Sequence, residues 1–177
     1  MRWFTSDLHL GSAWAARMRY CGTDVAKHDA TIAARWDAKV GSGDEVWILG
    51  DLIGELDFDA LSDWLLARPG TKHLVLGNND VGMEFSDLPL DSVASDARTV
   101  LGGYLVVMSH YPDVAVDANA DALLHGHTHR RQRISRPLVD QVPRVHVGWE
   151  AWRRLVPEPE LANAVASALA LNTGSSQ

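Results

Sequence analysis

The sequence predicts a single α/β domain, and three observations carry that prediction. Apolar, β-rich runs recur along the chain; most are separated by helix-like or loop segments; no internal repeat or linker divides the 177 residues. With 46% hydrophobic and 22% charged residues, such a chain buries roughly 70% of its unfolded surface. Disordered, collagen-like and coiled-coil classes are excluded by these proportions.

The first strand is expected at Trp3-Phe4-Thr5. Asp24 then caps a helix whose Val25, Ile32, Trp36 and Val40 fall near one face. A second strand follows at Val46-Trp47-Ile48-Leu49. A second helix fits residues 57–67, with Phe58, Leu61 and Leu65 as its stripe and Pro69-Gly70 as its stop. Further strands are expected at Leu74-Val75-Leu76, Tyr104 to Met108, Ala122-Leu123-Leu124 and Val145-His146-Val147. Their hydrophobicity is continuous rather than alternating, which suits strands covered on both faces. From Glu158 to about Leu171, a third helix carries Leu161, Val165 and Leu169. The division expected is a domain over 1–157 and a C-terminal helix with a frayed tail over 158–177.

Composition limits the function. Sixteen basic residues against 23 acidic ones give a formal charge of −7, so indiscriminate phosphate-backbone binding is disfavoured. No apolar run approaches the ~18 residues that cross a bilayer, and the first residues lack signal-peptide anatomy. A lone cysteine, Cys21, excludes an internal disulfide and reads as an inert thiol in a reducing cytosol. A cytoplasmic protein without a membrane partner is therefore expected. Arginine outnumbers lysine 13 to 3, as in GC-rich coding; an actinobacterium or one of its phages fits.

The chemistry gathers where strands stop. Leu49 leads into Gly50-Asp51, Leu76 into Gly77-Asn78, and His125 into Gly126-His127-Thr128-His129. Glycine permits the sharp turn and close passage of the backbone, and functional groups of α/β sheets collect beyond the carboxyl ends of strands. Thr5-Ser6 runs into Asp7-Leu8-His9, and Ser109 into His110. Residues two apart in extended chain project to one side, so Asp7 with His9, and His127 with His129, each offer two ligands. The seven candidates are Asp7, His9, Asp51, Asn78, His110, His127 and His129. Seven is too many for one zinc but suits two metals sharing a carboxylate. Without a thiolate, the set suits Mn, Fe, Co, Ni or Zn. For each residue alone, turn chemistry is the competing explanation.

Asp7-x-His9, Gly50-Asp51, Gly77-Asn78-Asn79-Asp80, His110 and Gly126-His127-x-His129 resemble the ordered motifs of the calcineurin-like metallophosphoesterases. The resemblance runs from about Arg2 to Pro157, and the segments around Asp7 and Ser109-His110-Tyr111-Pro112 resemble the small, cap-less bacterial and phage members. It implies an αββα sandwich of two packed β-sheets flanked by helices. It also implies two divalent ions, manganese foremost. Asp7, His9, Asp51 and His129 would hold one, Asp51, Asn78, His110 and His127 the other, with Asp51 bridging. A hydroxide shared by the ions would attack a phosphoester. The expected substrate is a small phosphodiester or nucleotide, such as an aryl diester or a 2′,3′-cyclic nucleotide; nucleic acid is not favoured, and the oligomeric state is open.

The family pattern usually has a histidine where this chain has Asn79, and that histidine is assigned as the acid for the departing alcohol. An amide donates a hydrogen bond but no proton, and general acid catalysis is typically worth ~10²–10⁴-fold. Asp80, which would orient such a histidine, is left to hold Asn79 or to cap the next turn. Three readings remain: an enzyme for substrates needing little acid help, another donor with His28 as the loose candidate, or a weak or inactive binder of metal and phosphate. A single-strand nuclease is a further alternative.

Other residues carry plainer expectations. His125, His73 and His146 lie in strand patterns and read as structural, His125 as a core or supporting histidine. His28 on the first helix is expected to be exposed. Arg130, Arg131, Arg133, Arg136, Arg144, Arg153 and Arg154 form either a solvated charged face or a phosphate-contacting rim, with Arg130 its foremost member. Trp14, Tyr20 and Tyr111 either pack or stack on a base.

Overall fold

The computed structural model describes residues 1–19, 21–117, 119–137 and 140–173, with side chains described as far as residue 170. Tyr20 and the expected frayed tail beyond Thr173 lie outside the described residues. In chain order the elements are β1 (Arg2–Thr5), α1 (Ala13–Met18), α2 (Val25–Asp37), β2 (Glu45–Leu49), α3 (Phe58–Leu66), β3 (Thr71–Val75), β4 (Ser92–Ala94) and β5 (Ala97–Leu101). There follow β6 (Tyr104–Met108), β7 (Ala122–His125), β8 (Ile134–Ser135), β9 (Arg144–His146), α4 (Trp149–Trp152), β10 (Val156–Pro157) and α5 (Glu158–Thr173).

Two mixed five-stranded sheets result, ordered β10-β1-β2-β3-β4 and β5-β6-β7-β9-β8. Strands β1 to β4 pair in parallel, and β10 runs antiparallel to β1. In the second sheet β6, β7 and β9 are parallel, with β5 and β8 antiparallel at the edges. Side chains alternate across each strand. Phe4, Leu49 and Val75 from the first sheet meet Val106, Met108, Leu124 and Val145 from the second in one buried cluster. The opposite face of the first sheet sends Val46, Ile48 and Leu74 against Ile32 and Trp36 of α2 and Leu61 and Leu65 of α3. Full burial of each such side chain is worth about 1.5–3 kcal/mol. Helix α5 touches β1 and β10 of one sheet and β5 and β9 of the other, inserting Leu161 and Val165 into the shared cluster. The sandwich implied by the resemblance is the architecture found.

Helix starts follow their caps. The Asp24 carboxylate accepts from Lys27 N at 2.9 Å, and that of Asp57 from Ala60 N at 2.9 Å, each worth about 1 kcal/mol. The expected stripe on α3 needs one correction: Phe58 is 37% exposed, while Leu56 and Trp64 pack against the core alongside Leu61 and Leu65. Helix α1 has no counterpart in the sequence pattern, because its six residues are too short for a recurring stripe; Ser12 caps it by accepting from Ala15 N. Strands β4, β5, β8 and β10 also escape the pattern. They are short or half-exposed edge strands without a continuous apolar run. Among the described residues, no helix is long and apolar enough to cross a membrane.

The parallel pairing decides where chemistry can occur. It brings the carboxyl ends of β1, β2 and β3 to one edge, and a bridge between Ser6 and Gly148 ties that edge to the second sheet.

Candidate metal centre

The loop leaving β1 runs alongside the loop leaving β2: Asp7 N donates to Gly50 O at 2.9 Å, His9 N to Asp51 O at 3.0 Å and Leu10 N to Leu52 O at 3.1 Å. Such close passage needs glycine. A Cβ on Gly126 would stand 1.9 Å from Ser6 Oγ and 2.7 Å from Asp7 Oδ2. Gly50, at φ +86°, would place one 2.4 Å from His110 Nδ1.

All seven candidate ligands meet at this edge. Asp7, His9, Asp51 and His129 each offer a ligand atom within 4.8 Å of the others. His9 Nε2 lies 3.3 Å from His129 Nε2 and 3.4 Å from Asp51 Oδ2; His129 Nε2 lies 3.8 Å from Asp7 Oδ1. On the other side of Asp51, His110 Nε2 is 3.5 Å from Asp51 Oδ1, 3.2 Å from Asn78 Oδ1 and 3.2 Å from His127 Nδ1. Asp51 thus belongs to both groups.

The backbone is held unusually. Asp7, His9, Asp51, His127 and His129 have φ of 58°, 49°, 53°, 70° and 50°. Among the described residues only Gln141 and Arg153 share this left-handed conformation without being glycine. Non-glycine residues held there cost of order 1–3 kcal/mol each, and such strain clusters at functional sites.

The donor set fits divalent cations. His110 Nδ1 lies 2.9 Å from Leu49 O, which only accepts, so Nδ1 carries a proton and Nε2 is the nitrogen whose lone pair a neutral ring offers to a metal. That lone pair faces the oxygens of Asn78 and Asp51, an arrangement suited to a shared cation. Burial pushes Asp7 up to about 6 despite His129 and His110. Burial likewise pushes His9 down to about 4, against the pull of Asp51, and lowers His127. Neutral imidazoles are the ligand form.

Two residues that sequence reasoning missed brace the first group. Glu150 Oε1 lies 3.3 Å from His129 Nδ1 and accepts from Arg19 Nε and Nη2 at 2.9 and 2.7 Å. Arg19 also donates to Asp7 O and, at 2.8 Å, to Leu8 O. Burial would raise Glu150, but His129 and Arg19 hold it down at about 2. For His129 burial works downward, yet Glu150 and Asp7 leave it raised. Neither residue belongs to a motif, and 131 positions separate them.

Several expectations are corrected here. Asp80 is fully buried and neither holds the Asn79 side chain nor merely caps a turn. Its carboxylate accepts from Asp51 N, Leu52 N and Gly77 N at 2.7, 3.0 and 2.8 Å, which makes it a positioning residue. Asn79 instead grips Asp51, its Nδ2 donating to Oδ2 at 2.7 Å and its N to Oδ1 at 2.9 Å. His28 is buried at 1% exposure, between Asp29 at 2.7 Å and Arg19 at 2.8 Å. It therefore sits behind Arg19 and does not line the metal cleft.

Arg130 is exposed but lines a separate hollow with His125 and Pro112. The arginine cluster is neither one solvated face nor one rim. Arg144 pairs with Asp140 at 2.7 Å, Arg133 covers the Trp152 ring at 3.9 Å, and Arg154 pairs with Glu160 at 2.7 Å. His125 and His146 are buried and stacked, centroids 5.1 Å apart. His73 stacks on Trp47 at 4.4 Å.

The candidate ligands open onto a cleft of about 380 Å³ lined by His9, Trp14, Asp51, Asn79, His127 and His129. Trp14, 47% exposed, meets His129 edge-on at 5.0 Å. Tyr111 meets His110 at 5.0 Å and His127 at 5.2 Å. One aromatic ring therefore flanks each ligand group.

Comparison with known proteins adds kinship without an activity. No protein-family model matches the chain. It is similar to the gene 66 protein of Mycobacterium phage L5, 36% identical over 92% of this chain and 93% of that protein. Its identity to the gene 66 protein of Mycobacterium phage D29 is 40%, over 92% of this chain and 94% of that one. Among solved structures, a protein of unknown function from Aquifex aeolicus superposes with a TM-score of 0.70 at 20% identity, covering 93% of this chain and 98% of that one. That likeness extends to the fold.

Proposed function

We propose that this chain, which belongs to the family of the mycobacteriophage gene 66 proteins, is a binuclear metal-dependent phosphoester hydrolase preferring diesters. The observation that carries the reading is the left-handed backbone at Asp7, His9, Asp51, His127 and His129. Strain at five convergent donors needs a function that turn chemistry does not supply.

On this reading Asp7, His9, Asp51 and His129 hold one ion and Asp51, Asn78, His110 and His127 the second, manganese being the first choice. Bound there, divalent ions supply Lewis-acid polarisation of phosphoryl oxygens and a water acidified toward neutral pH. The chain's own residues do the rest. Leu49 O fixes the His110 ring, Glu150 and Arg19 brace His129, and Asp80 holds the backbone of the Asp51 loop. Trp14 offers an exposed face to the aryl or base group of a substrate.

Asn79 replaces the usual acid of the resembled family. One of its amide hydrogens is engaged by Asp51, leaving the other for a phosphoryl oxygen. Substrates that need little acid help, such as aryl diesters with phenolate leaving groups or strained cyclic diesters whose ring opening relieves strain, follow from this.

The test is hydrolysis of bis(p-nitrophenyl) phosphate and p-nitrophenyl phosphate with Mn²⁺, after EDTA, and in Asp51→Asn and His127→Ala. Metal-dependent turnover, faster on the diester and lost in both variants, supports the reading. Retained metal binding without turnover on either ester would replace it with a non-catalytic binder.

A further inference from the structure

The bracing of His129 continues beyond Arg19 into helix α2. All five N–H donors of the Arg19 guanidinium are engaged: Nε and Nη2 with Glu150 Oε1, Nη2 also with Asp7 O, and Nη1 with Leu8 O and His28 Nε2. A guanidinium only donates, so His28 Nε2, 2.8 Å away, is the acceptor. The ring proton therefore sits on Nδ1, which donates to Asp29 Oδ1 at 2.7 Å. The second oxygen of that carboxylate, Oδ2, accepts from Gly11 N at 3.0 Å. Ile32 and Trp36 anchor α2 in the core, so the pair stands on a rigid element.

Together these contacts grip the loop leaving β1 on both sides of His9. Arg19, aimed by His28, holds the carbonyls of Asp7 and Leu8, while Asp29 holds the N–H of Gly11. The same guanidinium fixes the Glu150 carboxylate 3.3 Å from His129 Nδ1, which directs His129 Nε2 toward the cation. Asp7, His9 and His129 all belong to the first ligand group. None of His28, Asp29 and Arg19 bonds to Asn78, His110 or His127 of the second.

We propose that His28 and Asp29 are positioning residues for the first ion, setting the affinity of its ligand group and leaving that of the second unchanged. This rests on the two-ion reading above. Their chemistry explains the residue types. A neutral imidazole accepts from the guanidinium on one side and donates to the carboxylate on the other, and the carboxylate has a separate oxygen for each of its two donors.

Mn²⁺ titration of the full chain, followed by the electron paramagnetic resonance of the free ion, tests the assignment. His28→Met keeps similar bulk without either nitrogen. It is expected to weaken one of two binding steps about tenfold, the step that His129→Ala removes and His127→Ala spares. His28→Gln, whose amide oxygen still accepts from Arg19, should recover most of the loss. Asp29→Asn leaves one acceptor oxygen for two donors and should weaken the same step. A second measurement needs no metal: ¹⁵N spectra of histidine-labelled, metal-free protein at neutral pH should show the His28 proton on Nδ1 alone, its signal assigned by its absence in His28→Gln. A proton on Nε2, equal weakening of both steps or of neither, or no recovery in His28→Gln overturns the proposal while leaving the two-ion reading in place. A wild type that binds no Mn²⁺ overturns both.

Discussion

The buried carboxylate of Asp80 accepts a 2.7 Å hydrogen bond from the backbone N–H of Asp51. The same carboxylate holds Leu52 and Gly77, so one side chain fixes the loops leaving β2 and β3. Asp80→Ala leaves these buried donors without a partner, at about 1–3 kcal/mol for each. Thermal denaturation should show a loss of at least about 3 kcal/mol, and Mn²⁺ titration a weaker affinity. Wild-type values for both would reduce Asp80 to an ordinary turn residue.

Gly126 makes a steric prediction. Alanine there would drive its Cβ into Ser6 Oγ and against Asp7 Oδ2, atoms that cannot retreat within a buried loop. Gly126→Ala should destabilise the protein by about 2 kcal/mol or more and weaken metal binding. A neutral effect on both would mean the strand-end loops pack less closely than these contacts require.

The Glu150 carboxylate predicts a pH dependence. Its pKa, held at about 2 against an ordinary 4.5, lies lower folded than unfolded. Its contribution is therefore complete above about pH 4.5 and is lost as pH falls toward 2. The magnitude is of order 3 kcal/mol. Urea titrations of the metal-free protein should show a steeper loss of stability across that window in the wild type than in Glu150→Gln. Parallel curves would dissociate Glu150 from the Arg19 and His129 bracing.

Asn79→His would place a proton donor beside Asp51. Turnover should rise on diesters with alkoxide-like leaving groups, by up to about 10²-fold, and little on p-nitrophenyl esters. An equal change on both would remove the argument from the missing acid.

Much of the site is legible in the sequence because it is local. Each candidate ligand sits within a few residues of an apolar run, and all but His110 also lie close to a glycine, so strand ends and motif order bring out Asp7, His9, Asp51, Asn78, His110, His127 and His129 together as candidates. The aids to those ligands are not legible. Arg19 and Glu150 meet across 131 positions with no periodic signal on either side, and α1, which carries Trp14, is too short to leave a stripe. His28 reads as exposed from its helix alone; its burial depends on Arg19, a partner from outside that helix. The arginine cluster misleads for a related reason. Proximity in sequence disperses here into separate pairings with Asp140, Trp152 and Glu160.

Metal stoichiometry bears most directly on the whole account. Elemental analysis of Mn²⁺-saturated, desalted protein should give two ions per chain in the wild type and one or none in Asp51→Asn. A single ion per chain at saturation, or a ratio unchanged when the carboxylate common to both ligand groups is removed, would contradict it.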